Sequence, residues 1–272
     1  SGAAFTRNKL MKLAKGTYIY FVDADDYVAR YSLHFLLNFA ISNRIDIMGF
    51  NAAVTNSHKA VEFDNPVEHL IPSEIITGPQ FLKENKDLRI EIWWYLIRKD
   101  FFDRSSIYFD RSDYDGDVVF TLRLFLKAKK VAFYPIQIYY YFQSLESTMR
   151  TEDIKVRKRI VNYFVALITD FSDLIMSLNE KEIPFKNEIK NNFESRRDTF
   201  TFFTITKMIK ANLSITEIKL NLNQLKSANA YPISSFMSED YKNITFRLLN
   251  YVFNRESLLI VMIKIYNFFK KK

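Results

Sequence analysis

Cysteine is absent from the 272 residues, which removes disulfides, thiolate-held zinc and thiol catalysis together. Histidine is scarce as well. His34, His58 and His69 are too scattered to form a paired imidazole site, so any metal must be held by carboxylates. Five glycines and six prolines are few for this length, and they favour long helices and packed strands over a turn-rich barrel. No apolar run reaches the roughly 18 residues of a membrane span, and no leader-like segment is present. A cytoplasmic protein is therefore expected. Fixed-period repeats and low-complexity tracts are also missing.

Apolar residues make up 48% of the chain, with 26 Phe and 16 Tyr, enough for one large domain or two modest ones with a real core. The net charge of +8 suits an acidic partner such as nucleic acid, an anionic membrane or a phosphorylated substrate. The basic residues are scattered and no RNA- or DNA-binding motif appears, so nucleic acid is not expected.

Hydrophobic spacing predicts the elements. Leu10, Leu13 and Ala14 mark a helix with Gly16 as its stop. Tyr18 to Val22 reads as a strand buried on both faces that runs straight into Asp23, Asp25 and Asp26. The acids thus fall at a strand's carboxyl end, where open α/β sheets bind ligands. A helix over Tyr31 to Ile41 and a strand over Asp46 to Ala53 follow, and then a polar loop with one edge strand to Thr77. Trp93 to Arg98 is a short buried element. Val118 to Ala128 is a helix with Leu122, Phe125 and Leu126 inward, and Val131 to Phe142 a strand pair or a strand and its exit. From Thr151 the texture turns helical, with Ile160, Phe164, Leu167, Ile168 and Phe171 on one face. The expected division is 1–150 and 151–272.

Three carboxylates within four positions repel one another unless a cation neutralises them, and hard oxygen donors suit Mg²⁺ or Mn²⁺. A solvated turn, or a helix cap by Asp26, is the structural alternative. Asp117, at the start of a predicted helix, reads by itself as a helix cap.

The run from Arg7-Asn8-Lys9-Leu10 through Gly16-Thr17-Tyr18-Ile19-Tyr20-Phe21-Val22-Asp23-Ala24-Asp25-Asp26 resembles the central signature of family 2 glycosyltransferases. Trp93-Trp94-Tyr95-Leu96-Ile97-Arg98-Lys99-Asp100-Phe101-Phe102 and Asp115-Gly116-Asp117-Val118-Val119-Phe120 are similar to two later blocks of that family. The resemblance implies an α/β GT-A mixed sheet with flanking helices, incomplete at the N-terminus because the pattern is entered midway, followed by a helical C-terminal region. It also implies a UDP- or GDP-sugar donor, Mn²⁺ or Mg²⁺, and a saccharide or lipid-linked acceptor, with an inverting reaction in cell-surface polysaccharide synthesis. Carried over by position, Asp25 is the principal metal ligand and Asp23 a ribose or second metal contact. Arg7 is a donor-side contact, Asp117 the general base and Arg150 a diphosphate partner. Gly116 stands where the family usually has Glu, and Asp115 is the candidate replacement. An inactive binding module derived from the same fold is the alternative.

Tyr139-Tyr140-Tyr141-Phe142 resembles the family's aromatic strand, and it reads as core or as a sugar platform. Phe246 to Lys272 pairs an apolar helical face with Arg247, Arg255, Lys264 and three terminal lysines. This segment is either a helix packed on its domain or an interfacial helix at an anionic membrane.

Overall fold

The computed structural model describes residues 2–57, 59, 72–109, 116–143 and 152–270. The chain divides into two compact units, Ser1–Ser147 and Thr148–Lys272.

The first unit is a mixed sheet flanked by helices. Its strands are β1 (Tyr18–Tyr20), β2 (Tyr27–Val28), β3 (Ile47–Thr55), β4 (Tyr95–Arg98) and β5 (Val131–Phe142), in spatial order β1-β4-β3-β5-β2. Among the described strands only β3 and β5 pair in parallel. The other three contacts, β1 with β4, β4 with β3 and β2 with β5, are antiparallel. The apolar residues Ile47, Met48, Phe50, Tyr95, Leu96 and Ile97 are all buried, as expected of strands covered on both faces. Strand β1 is shorter than its sequence suggests. It pairs only with β4 among the described residues, so Ile19 is buried while Tyr18 and Tyr20 are half-buried. Residues 131–142 form one continuous strand, irregular in register near Asn51, and Ile76 adds a single bridge to Val131.

Helix α1 (Ala3–Leu13) forms where Leu10 and Leu13 predict it, but both of those residues are exposed. Its inward face is Ala4 and Met11, with Arg7 and Asn8 half-buried between them at helical spacing. The apolar spacing thus locates the helix, while its inner side is set by other residues. The helix ends at Leu13, with the Ala14 N–H on the Leu10 carbonyl, so Gly16 plays no left-handed capping part. Helix α2 (Leu33–Asn43) buries Leu36 and Ala40 and ends on Arg44 in the left-handed conformation.

Helices α3 (Gly78–Glu84) and α4 (Lys99–Ser105) are short, and α5 (Asp117–Lys127) is almost wholly buried along its first nine residues. Leu122 and Phe125 point inward as predicted, with Leu124 taking the place expected of Leu126. Glycine at 78 is dictated by contact, since a Cβ there would lie 1.7 Å from the Phe125 carbonyl oxygen. The Gly78 N–H donates to the Ala128 carbonyl at 2.8 Å, which locks α3 against the end of α5.

The second unit is all helical: α6 (Ile154–Asn179), α7 (Lys186–Lys210), α8 (Ile215–Ser227), α9 (Ile244–Phe253) and α10 (Glu256–Lys270). Val161, Ile168, Phe202, Ile205, Leu222 and Phe253 belong to its core. A buried carboxylate organises the link between α8 and α9. Asp198 accepts from the Ser234 hydroxyl at 2.6 Å and from the Ser234 and Ser235 amides, while Arg197 neutralises its other oxygen at 3.0 Å. Among the described residues α6 alone has the length and apolar composition of a membrane span, and half of its apolar window is buried within the protein.

Candidate functional site

The acid turn follows β1 directly. Strand pairing with β4 ends at Tyr20, and the backbone closes on itself through the Asp26 N–H to the Asp23 carbonyl at 3.2 Å. The three carboxylates then meet different surroundings. Asp26 is held from β5, accepting from the Tyr139 hydroxyl on one oxygen and from the Phe142 N–H at 2.7 Å on the other. Burial pushes its pKa up, the Asp25 charge adds to the rise, and these two hydrogen bonds oppose it. It therefore caps no helix. Asp25 is exposed and makes no hydrogen bond or ion pair with the described residues. Asp23 lies between these extremes, its side chain 40% exposed and 3.6 Å from an Arg7 guanidinium nitrogen.

The same guanidinium reaches the second acid. Arg7 Nη1 donates to Asp117 Oδ1 at 2.8 Å across 110 positions of sequence, with both side chains 14% exposed. Asp117 is the first residue of α5, and the capping position is Gly116, which offers no side chain. The carboxylate thus turns to Arg7 instead of to the helix amides. Arg7, Asp23 and Asp117 come together at the end of the sheet, with Asp25 in the same turn as Asp23. Arg150 and Asp115 lie outside the described residues.

Two positioning residues escaped the sequence reading. The Asn8 side-chain amide donates to the Phe109 carbonyl at 2.9 Å and accepts from its N–H at 3.0 Å, and the Phe109 ring stacks on Phe120 of α5 at 3.9 Å. Asn8 therefore ties α1 to α5 beside the Arg7–Asp117 pair. Tyr139 is the second. Its hydroxyl bonds Asp26 and also accepts the Asp23 N–H at 3.3 Å, while its ring stacks on Trp93 at 4.6 Å. Burial, and then the bond to Asp26, raise its pKa far above that of an ordinary phenol, so it stays a hydrogen-bond donor. The only sequence signal for Asn8 was its place beside Arg7. Tyr139 was hidden among three consecutive tyrosines.

The donor set bears on the metal. Among the described residues no group of three acidic or imidazole side chains converges. With Asp26 committed to β5, Asp25 and Asp23 remain as hard oxygen donors. Such a pair fits Mg²⁺ or Mn²⁺ of the kind that completes its shell with water and substrate phosphates.

No protein-family model matches the chain. Its sequence is 30% identical over 152 residues to the uncharacterized glycosyltransferase EpsJ of Bacillus subtilis, covering 54% of this chain and 43% of that protein. It is 25% identical over 154 residues to the uncharacterized glycosyltransferase YibD of Escherichia coli, 55% of this chain and 45% of the relative. Identity reaches 33% over 153 residues with a poly(ribitol-phosphate) beta-glucosyltransferase of Bacillus spizizenii, 52% of this chain and 21% of the relative. The matches thus span less than half of each curated relative. Among solved structures, residues 1–349 of S. aureus TarS in complex with UDP-GlcNAc superpose with a TM-score of 0.58 at 17% identity, covering 84% of this chain and 61% of that one. The same TarS segment without the ligand gives 0.52 at 15% identity, covering 93% and 71%. The fold is GT-A-like and related to family 2 glycosyltransferases, with a mixed sheet flanked by helices and a helical C-terminal region.

Proposed function

We propose that this chain carries the metal- and acceptor-facing part of an inverting glycosyltransferase that moves a sugar from a UDP- or GDP-sugar to a saccharide or lipid-linked acceptor in cell-surface polysaccharide synthesis. The observation that carries this reading is the Arg7 guanidinium, 2.8 Å from Asp117 and 3.6 Å from Asp23. It joins the acid of the donor turn to the acid assigned to the acceptor. One relative is named for glucosyl transfer to poly(ribitol-phosphate), which agrees with a polymer as acceptor.

In this reading Asp117 takes the proton from the attacking hydroxyl as the new bond to the anomeric carbon forms and the bond to the diphosphate breaks. General-base assistance of this kind is worth about 10²–10⁴-fold. Arg7 orients the Asp117 carboxylate through Oδ1. Asn8 holds Phe109, whose ring stacks on Phe120 of α5, and Tyr139 fixes the acid turn so that Asp25 and Asp23 face the donor. Asp25 and Asp23 would hold a Mn²⁺ or Mg²⁺ ion, which would supply neutralising charge at the departing diphosphate. Arg150 serves as a further diphosphate contact.

We place the protein on the cytoplasmic side, with α9 and α10 against an anionic membrane surface. Ile244, Leu248 and Tyr251 on α9, and Val261, Ile265, Phe268 and Phe269 on α10, are each more than half exposed. Arg247 and Lys264 lie in the same helices, as an interfacial segment requires.

The test uses full-length protein. Calorimetry should show Mn²⁺-dependent nucleotide binding that Asp25→Ala abolishes, whereas Asp117→Asn should bind donor normally and transfer no sugar. Metal-independent binding, or full transfer by Asp117→Asn, refutes these assignments.

A further inference from the structure

At the end of the sheet away from the acid turn, a cleft of about 560 Å³ is lined by Arg44, Arg98, Arg104, Lys127, Lys129 and Lys130. Its position follows from strand register. Arg98 pairs with Tyr18, the first residue of β1, while the acids follow the last. The cleft therefore lies outside the site described above.

Four separate segments build it: the α2–β3 link, the β4–α4 junction, the end of α4 and the α5–β5 link. Among the described residues two carboxylates line it against six cations, and both are already engaged. Asp46 is buried, bonded to Arg98 Nη2 at 2.6 Å and to the Lys129 and Lys130 amides at 2.8 and 3.0 Å. Asp100 contacts Arg98 Nε at 2.8 Å and Arg104 Nη1 at 3.2 Å. No carboxylate among the described residues pairs with Arg44, Lys127, Lys129 or Lys130.

Two of these ammonium groups are held in place. Lys127 Nζ donates to the Ser105 carbonyl at 2.7 Å at the end of α4, and Lys130 Nζ donates to the Asn43 carbonyl at 3.0 Å at the end of α2. Arg44 adds a backbone argument. It sits at φ 53°, ψ 47°, where glycine or asparagine is the low-energy choice, so a bulky cation occupies a position that local energetics does not favour.

We propose that this cleft is a binding site for a compact, soluble polyvalent phosphate ligand carrying two or more phosphate groups. A single carboxylate would leave most of these cations uncompensated, while the mixture of forked guanidinium and point-charge ammonium groups matches clustered phosphate oxygens. The proposal does not depend on glycosyl transfer.

The experiment is calorimetric titration of the full chain with tripolyphosphate, in EDTA and at low salt, so that no divalent ion can recruit the probe to the acid turn. Arg44→Gly relieves the left-handed backbone and Lys129→Ser alters an exposed side chain, so both variants keep the fold. Each should weaken binding about tenfold, as expected for loss of one charge-assisted contact. Lys129→Arg and Asp25→Ala should leave it unchanged. Undiminished binding by the Arg44→Gly/Lys129→Ser double variant, or loss of binding in Asp25→Ala, overturns the proposal. So does a result in which the double variant loses only sedimentation with phosphatidylglycerol vesicles while tripolyphosphate binds neither protein.

Discussion

Replacing Arg7 by Met should damage the first unit more than an ordinary surface substitution, because it strips a charged partner from a carboxylate that is largely shielded from water. Both side chains of the Arg7–Asp117 pair are 14% exposed, at 2.8 Å, and Asp23 stands 3.6 Å from the same guanidinium. Removal of one member of a fully buried pair costs about 3–5 kcal/mol, and the residual exposure here lowers that to about 2–4 kcal/mol. Asp117→Asn should cost less, since an amide oxygen can still accept from Arg7. With the charge already gone, Arg7→Met in the Asp117→Asn background should cost about 1–2 kcal/mol less than in the parent. The assay is favourable because both tryptophans, Trp93 and Trp94, lie in the first unit. Urea unfolding followed by tryptophan fluorescence therefore reports that unit alone. Strictly additive free energies, or an Arg7→Met variant as stable as the parent, would refute a coupled pair.

Three further outcomes are expected. Tyr139→Phe should keep the Trp93 stack but lose the bonds to Asp26 and to the Asp23 amide, so Mn²⁺-dependent nucleotide affinity should drop several-fold while the near-UV circular dichroism is retained; unchanged affinity would remove Tyr139 from the site. Glu217 is held at a pKa of about 2, mainly by its bond to Lys158 and by the Ser214 capping box, so its stabilising contribution is present above pH 4.5 and lost as pH falls towards 2. Glu217→Gln should flatten that part of the acid-unfolding curve, and a curve parallel to the parent's would contradict the assignment. Finally, Leu248, Val261, Ile265 and Phe269 changed together to Ser should abolish flotation with anionic liposomes at low salt without unfolding, because all four are exposed; truncation is unsuitable, since Phe253, Leu259 and Ile263 belong to the core.

The parts of the fold that the sequence made legible are those where one physical signal acts alone. Ile47 to Phe50 and Tyr95 to Ile97 are apolar without interruption because both faces of the sheet are buried there, and they read as strands. The inner face of helix α1 is not legible from its apolar residues, for an equally physical reason. Its inner face carries Arg7 and Asn8, which serve Asp117 and Phe109, and hydrophobic periodicity cannot register a face buried for its polar contacts. The insertion of antiparallel β4 between β1 and β3 was also hidden, because pairing order depends on contacts far apart in the chain. The basic cleft was invisible for the same reason. Its cations come from four segments, each of which looks like scattered surface charge.

The acid turn shows how far a motif can be read and where tertiary structure must take over. As a string, Asp23, Asp25 and Asp26 are interchangeable carboxylates sharing one electrostatic problem. In the fold that problem is divided: Asp26 spends both oxygens on β5, Asp23 is shared with Arg7, and Asp25 is left to solvent. Experiments on the three acids therefore differ in meaning. Loss of activity in Asp26→Ala would follow from release of the turn from Tyr139 and Phe142, whether or not Asp26 meets any ligand. Asp23→Ala would also unbalance the Arg7–Asp117 pair. Only at Asp25 does substitution remove a carboxylate without disturbing an internal contact, so only there does a loss of metal-dependent binding with an unchanged unfolding curve identify a ligand.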